Sequence, residues 1–256
     1  MSLWGETSST DRSRIRMRFL AAVAVGALGV AALWSLLGSG WLLGATPVGL
    51  YLAAYAGVHL PANRSPSGSG IHPTLGSANA VTLFRGWLVA VLAGTLLSSP
   101  EPWLPASLFV AAALLDAVDG AVARRTRETV LGARLDGATD ALAVLVGSAV
   151  AVGAGALPAW YLAAGAVWYA YSGSLWLRRR GGDPIYELPP SRVRRAIGSA
   201  QFLVVAVALL PGAGGPILTG GAAVALAVLL ASFARDWAAA TGRLGRTEPP
   251  VADPGR

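Results

Sequence analysis

Four aspartates stand close together in an otherwise apolar part of the chain: Asp116, Asp119, Asp136 and Asp140. The first two are three positions apart near the end of one apolar run, and the other two are four apart near the start of the next. Residues at these spacings share one face of a helix. If the two helices are antiparallel neighbours, their four carboxylates repel one another unless cations neutralise them. Hard oxygen ligands suit Mg²⁺ or Mn²⁺ rather than Zn²⁺, so the pattern predicts a divalent-cation site.

The composition places these carboxylates in a membrane protein. Of the 256 residues, 54% are hydrophobic and only 13% are charged, whereas soluble domains carry about 25% charged residues. Helices that cross a bilayer need about 20 apolar residues, and ionisable groups at membrane depth mark functional sites. Eight spans are predicted, at 19–37, 41–60, 80–98, 104–123, 133–155, 157–176, 199–212 and 216–235.

The charges predict an orientation. The net charge is +7 and all 20 basic residues are arginine. Arginines precede the first span, follow the last and occupy every second connection, whereas the connections near 38–40, 99–103, 156–158 and 211–216 contain none. Since positive loops stay in the cytoplasm, both termini and the aspartates are expected on the cytosolic side. The arginines are expected to contact anionic membrane lipids rather than nucleic acid. Tryptophans predicted to form interfacial belts are Trp34, Trp41, Trp103, Trp160, Trp176 and Trp237.

The expected fold is an all-α, polytopic membrane helix bundle. A polar, turn-rich loop at 61–78 separates a two-helix transmembrane hairpin at 19–60 from a six-helix core at 79–236. The ends are a cytosolic segment, 1–18, and a cytosolic tail, 237–256, which is expected to be disordered. The chain has no cysteine and only two histidines, His59 and His72, which argues against thiolate or histidine-rich metal sites and against a Ser-His-Asp triad.

The residues around the aspartates resemble the signature of the CDP-alcohol phosphotransferases, also called CDP-alcohol phosphatidyltransferases. These are integral membrane enzymes of phospholipid synthesis. The resemblance covers roughly residues 79–235. The matching pattern is Asp116-x2-Asp119-Gly120-x2-Ala123-Arg124, then Gly132-x3-Asp136-x3-Asp140, preceded by Asn79-x2-Thr82-x2-Arg85, which is similar to the segment that opens the family's first core helix.

The resemblance implies a reaction and its participants. A substituted phosphate group passes from a CDP-alcohol, here CDP-diacylglycerol, to the hydroxyl of a small polar alcohol, and CMP is released. Two divalent cations, Mg²⁺ or Mn²⁺, would be held by the four aspartates, and Asp140 would also be the general base. A homodimer is a further family expectation. The positions that the resemblance assigns to CDP binding are Gly120, Ala123, Arg124, Gly132, Asn79 and Thr82.

Some assignments stay open at this point. Gly120 and Gly132 continue the carboxylate faces without a side chain, which leaves room for a ligand or merely lets helices pack closely. Arg85 supports the nucleotide or metal shell, or else extends to the membrane interface. The basic loop at 177–198 fixes topology, or one of its arginines binds a phosphate on the acceptor; the candidates are Arg192, Arg194 and Arg195.

Two other functions use similar residues. An intramembrane prenyltransferase also applies aspartates and Mg²⁺ to a diphosphate, but its motifs lie far apart, whereas 17 positions separate Asp119 from Asp136. A cation transporter would hold its carboxylates near mid-membrane on broken helices, whereas these lie beside arginines at the end of a span. Both alternatives fit the sequence less well than the phosphotransferase.

Overall fold

The computed structural model describes residues 9–66, 70–98, 101–125 and 129–244, without the side chains of residues 9–11, 36–37 and 117–125. Over the described ranges the chain contains helices and turns and no strand, so the predicted all-α fold is confirmed. The α-helices are α1 (Ser9–His59), α2 (Ser77–Gly94), α3 (Leu104–Arg125), α4 (Val130–Gly153), α5 (Ala163–Gly181), α6 (Arg192–Ala208) and α7 (Pro216–Ala240).

Helix α1 is bent into two halves at Gly38. This glycine has φ 85° and ψ 175°, a backbone conformation that residues with a Cβ atom rarely adopt. The halves fold back on one another, because Ile15 of the first half packs in one buried cluster with Ala56 and Leu60 of the second. The bend falls between the first two predicted spans.

Within the part of the chain that the structure describes, five helical segments are long and apolar enough to cross a membrane, which identifies an integral membrane protein. Fewer segments meet this criterion than the eight predicted spans. Helix α3 counts as apolar over Leu104–Asp116, the part whose side chains the structure describes, α5 ends in three arginines, and α6 has 17 residues. The count of eight therefore stays a prediction. The five segments are Arg12–Ser35, Gly38–Ala62, Ser77–Leu97, Val130–Gly153 and Pro216–Ala240.

Helix α2 is the centre of the packing around the site. It packs extensively against α1, α3 and α4, whereas α3 and α4 touch one another less. Over the described residues, the two aspartate-bearing helices contact one another, as expected, and α2 packs against both of them. The largest buried cluster includes side chains from α2, α3, α4, α6 and α7, among them Val89, Leu92, Phe109, Val146, Val205 and Leu226.

Several boundaries differ from those expected. Helix α1 begins at Ser9, inside the predicted N-terminal segment, and α7 continues to Ala240, so residues 237–240 of the predicted disordered tail are helical. Trp41, expected in an interfacial belt, is only 1% exposed. Its indole N–H donates to the Val91 carbonyl at 3.0 Å, which binds the second half of α1 to α2.

Helices α4 and α5 approach closely at Gly165. A Cβ atom on this glycine would lie 2.3 Å from the Cα atom of Leu145, so any side chain would push the two backbones apart. Small residues at such crossings let membrane helices gain van der Waals contact. Gly173, on the same helix, has open space around its Cβ position.

Gly165→Ala should therefore lower the free energy of unfolding by about 1–3 kcal/mol through overpacking. The midpoint of thermal unfolding in detergent measures the change. Gly173→Ala is the matched control and should leave the midpoint unchanged or slightly higher, since alanine favours helix more than glycine does. Equal midpoints for the two variants would contradict a backbone contact at Gly165.

Candidate active site

Arg85 of α2 lies among the aspartates of α3 and α4. Its side chain is only 1% exposed. Nη1 is 2.7 Å from Asp116 Oδ1 and 3.1 Å from Asp136 Oδ1, and Nη2 donates to Asp140 Oδ1. One guanidinium therefore contacts three carboxylates from two helices. Arg85 points into the bundle in this structure, not toward the membrane interface.

The three carboxylates converge. Oxygen atoms of Asp116, Asp136 and Asp140, one from each, all lie within 4.8 Å of one another. Their side chains are 45%, 46% and 37% exposed, so a charged ligand can reach them from one side while Arg85 closes the other. At 1.5 Å per helical residue, Asp136 and Asp140 stand about 9 Å and 15 Å beyond the first residue of α4. The cluster thus lies inside the bundle, below the end of the helix.

Electrostatics explains why these groups stay together. A guanidinium removed from water is costly unless its donors are satisfied by charged acceptors. Conversely, three carboxylates this close repel one another unless a cation offsets them. Arg85 supplies one positive charge against three negative charges, so the described cluster keeps net negative charge. It therefore has the character of a cation-binding site.

For four residues of the predicted motif, the structure does not describe the side chains. They belong to the C-terminal part of α3. These residues are Asp119, Gly120, Ala123 and Arg124.

Asn79 and Gly132, both predicted to bind CDP, come together at the start of α4. A Cβ atom on Gly132 would lie 2.6 Å from Asn79 Oδ1, so the amide of Asn79 fills the space that the missing side chain leaves. Thr129 caps α4: its Oγ1 accepts from the Gly132 N–H at 2.9 Å and from Asn79 Nδ2 at 3.3 Å. Thr82, 4% exposed, donates to the Ala78 carbonyl at 3.1 Å on its own helix.

The three arginines considered for an acceptor phosphate have different environments. Arg194 pairs with Asp236 of α7 at 3.4 Å and donates to the Pro189 carbonyl, so it ties the loop before α6 to the end of α7. Arg192 and Arg195 are exposed at the start of α6. The exposed pair is therefore better placed to meet a soluble anion.

Two residues near the site were not found from the sequence. Thr129 lies directly before the apolar run of α4, and a threonine in that position is a typical helix-capping signal. Asn63 is 0% exposed but stands in a polar loop whose composition predicted an exposed linker. Its amide bonds to the carbonyls of His72 and Thr74, later in the same loop, and to Asn79 of α2, and the composition of the loop does not indicate these contacts.

The fold and the site together define a polytopic helical membrane protein with a carboxylate cluster that could hold a cation. The family model described as CDP-alcohol phosphatidyltransferase matches residues 75–241, well over half of the chain. The chain therefore belongs to this family and is a membrane enzyme of the CDP-alcohol phosphotransferase type. None of the curated proteins matches the chain, and none of the solved structures does so either.

Removal of the Arg85 charge should destabilise the protein. Arg85→Met leaves three neighbouring carboxylates without their guanidinium, and we expect a loss of about 3 kcal/mol, the low end for a broken buried pair because the carboxylates are more than a third exposed. The thermal midpoint in detergent measures it. Arg134→Met, an exposed arginine on α4, is the control and should change little. A wild-type midpoint for Arg85→Met would show that the cluster does not depend on this charge.

Proposed function

We propose that this protein transfers a phosphatidyl or other substituted phosphate group from a CDP-alcohol to the hydroxyl of a small polar alcohol, releasing CMP, in phospholipid biosynthesis. The proposed donor is CDP-diacylglycerol. The observation that carries the proposal is the convergence of Asp116, Asp136 and Asp140 around one point in a chain of this family. Family membership supports the reaction class, and the carboxylate geometry supports the position of the reacting groups.

The donor set fits Mg²⁺ or Mn²⁺. All ligand atoms offered by the described cluster are carboxylate oxygens, and the side chains are partly exposed, as hard cations that retain water require. Asp116, Asp136 and Asp140 would hold the cations together with Asp119, whose side chain lies outside the described residues. When bound, two such cations orient a diphosphate and offset charge on the attacking and leaving oxygens.

Asp140 is the proposed general base. It stands one helical turn beyond Asp136 on the same face of α4, and its Oδ1 accepts from Arg85. Arg85 therefore fixes the carboxylate while leaving it 37% exposed to an incoming acceptor. In the proposed step, the acceptor oxygen forms a bond to the phosphorus that carries the lipid, its proton passes to Asp140, and the bond to the CMP oxygen breaks.

The position of the cluster suits a substrate with an apolar and a charged half. The carboxylates lie inside the bundle near one end of α4, while the deeper parts of α2 and α4 carry buried apolar side chains. The nucleotide of such a substrate can reach the partly exposed carboxylates from water, while its acyl chains remain in the lipid. Asn79, Thr82 and Gly132 are the described residues proposed for the nucleotide end, with Gly120, Ala123 and Arg124 beside them.

The acceptor site is proposed at the start of α6, where the basic loop at 177–198 ends. Because Arg194 is held by Asp236, Arg192 and Arg195 are the better candidates for a phosphate on the acceptor, where a guanidinium can pair with oxygens bidentately. The alternative is that this loop contacts only anionic headgroups. Comparison of phosphorylated with unphosphorylated acceptors distinguishes the two roles.

Replacement of the proposed base should abolish the reaction. Purified protein given CDP-diacylglycerol, Mg²⁺ or Mn²⁺ and a panel of polar alcohols should release CMP, and Asp140→Asn should lower the rate by about 10²-fold or more. Asp183→Asn, an exposed aspartate in the loop after α5, is the matched control and should retain the wild-type rate. Cation flux without CMP release would favour a transporter, and release of diphosphate from prenyl substrates would favour a prenyltransferase.

The proposed orientation predicts which loops face the cytosol. Because the chain has no cysteine, single cysteines report position without background. Asp183→Cys should react with a membrane-impermeant maleimide only in inverted vesicles, since the arginine-rich loops are expected inside. Glu101→Cys, in an arginine-free connection, should react in intact cells. Labelling of both positions from the same side would overturn the proposed topology.

A further inference from the structure

A buried asparagine links the N-terminal addition, which is helix α1 with the loop that follows it up to residue 74, to the start of α4. Asn63 lies outside the segment matched by the family model and is 0% exposed. Its Nδ2 donates to the carbonyls of His72 and Thr74 at 3.0 and 2.8 Å. Its Oδ1 accepts from Asn79 Nδ2 at 3.3 Å. Each polar atom of this side chain thus has a partner, and one partner is a predicted CDP-binding residue.

The hydrogen bonds continue from Asn79 into α4. Of the two N–H groups on Asn79 Nδ2, one donates to the Leu75 carbonyl at 2.7 Å, and the other is shared between Asn63 Oδ1 and Thr129 Oγ1, each at 3.3 Å. Thr129 Oγ1 also accepts from the Gly132 N–H. In parallel, the backbone N–H of Val130 donates to the Arg64 carbonyl at 3.0 Å. The loop after α1 therefore holds the first turn of α4 through both side-chain and backbone bonds.

Apolar side chains also join the N-terminal addition to the start of α4. Ile15, Ala56 and Leu60 of the N-terminal addition form one buried cluster with Leu131 and Leu135 of α4, which are 0% and 1% exposed. Leu135 directly precedes Asp136 in sequence. The N-terminal addition thus packs against the part of α4 that leads to the carboxylates.

We propose that Asn63 is a positioning residue of the active site: it orients the amide of Asn79 against Gly132 and thereby sets the nucleotide end of the site. This inference rests on the proposed function, because it assumes that Asn79 and Gly132 meet the nucleotide. It gives the N-terminal addition an indirect part in substrate binding. The residue acts through Asn79 and does not touch the substrate itself.

The test separates substrate binding from general stability. Asn63→Ala removes three side-chain hydrogen bonds, and we expect the KM for CDP-diacylglycerol to rise about tenfold, as for loss of a buried hydrogen bond, while kcat stays within about twofold. Gln201→Leu is the matched control. Gln201 is a buried amide, 2% exposed, bonded to Tyr161 and to the Ala225 carbonyl in the apolar part of the bundle. The Gln201→Leu variant should have a lower thermal midpoint and an unchanged KM.

Hydrogen exchange tests the Asn63 contacts without depending on enzyme activity. Hydrogen exchange of the amides at 129–133 should be faster in Asn63→Ala than in wild type, and in Gln201→Leu it should match wild type. If Asn63→Ala is not recovered folded, Asn63→Ser is measured by the same two criteria. A wild-type KM with wild-type exchange, or equal KM changes in the Asn63 and Gln201 variants, would overturn the positioning role. If the wild-type protein releases no CMP, the proposed function is wrong instead. Hydrogen exchange at 129–133 would in that case still test whether Asn63 stabilises the start of α4.

Discussion

The ion cluster of Arg85 with Asp116, Asp136 and Asp140 fixes the relative positions of three helices. A buried guanidinium is tolerated only where charged acceptors surround it, so α2, α3 and α4 must present residues 85, 116, 136 and 140 at one depth and toward one point. A rotation or a one-turn shift of any of these helices would separate the charges. The cluster therefore selects one helix register from the many that apolar packing alone would permit.

The inward face of α2 changes chemistry along its length, and this change matches the proposed substrate. Asn79, Thr82 and Arg85 are buried and polar, whereas Val89 and Leu92, further along the same helix, are buried and apolar. The buried polar side chains in the first half are tolerated because each of the three has hydrogen-bond or ionic partners, as burial requires. The second half lies in the apolar core with Phe109 and Val146. A lipid-linked nucleotide presents the same division between charged and apolar halves.

The sequence predicted the helical class and the convergence of the aspartates, because apolar run length and helical spacing are local properties. It did not predict that α2 packs against both α3 and α4, since apolar runs carry no information about which helices become neighbours. Arg85 was ambiguous for the same reason: an arginine near a span end can extend to the interface or pair inside. The structure places it with Asp140, and only the tertiary arrangement distinguishes the two positions. The side chains of Asp119 and Arg124 stay predictions.

The polar loop at 61–78 shows why composition misjudged the role of the N-terminal addition. A turn-rich segment is usually a solvated connection, yet Asn63 is buried because its amide replaces water at two loop carbonyls and at Asn79. The family resemblance begins near residue 75, but Leu131 and Leu135 are buried partly by Ile15, Ala56 and Leu60, which precede it. Removal of the N-terminal addition would expose those leucines and leave Asn79 without one acceptor. The unit that folds around the site is therefore larger than the segment that sequence similarity defines, and the two added helices belong to it.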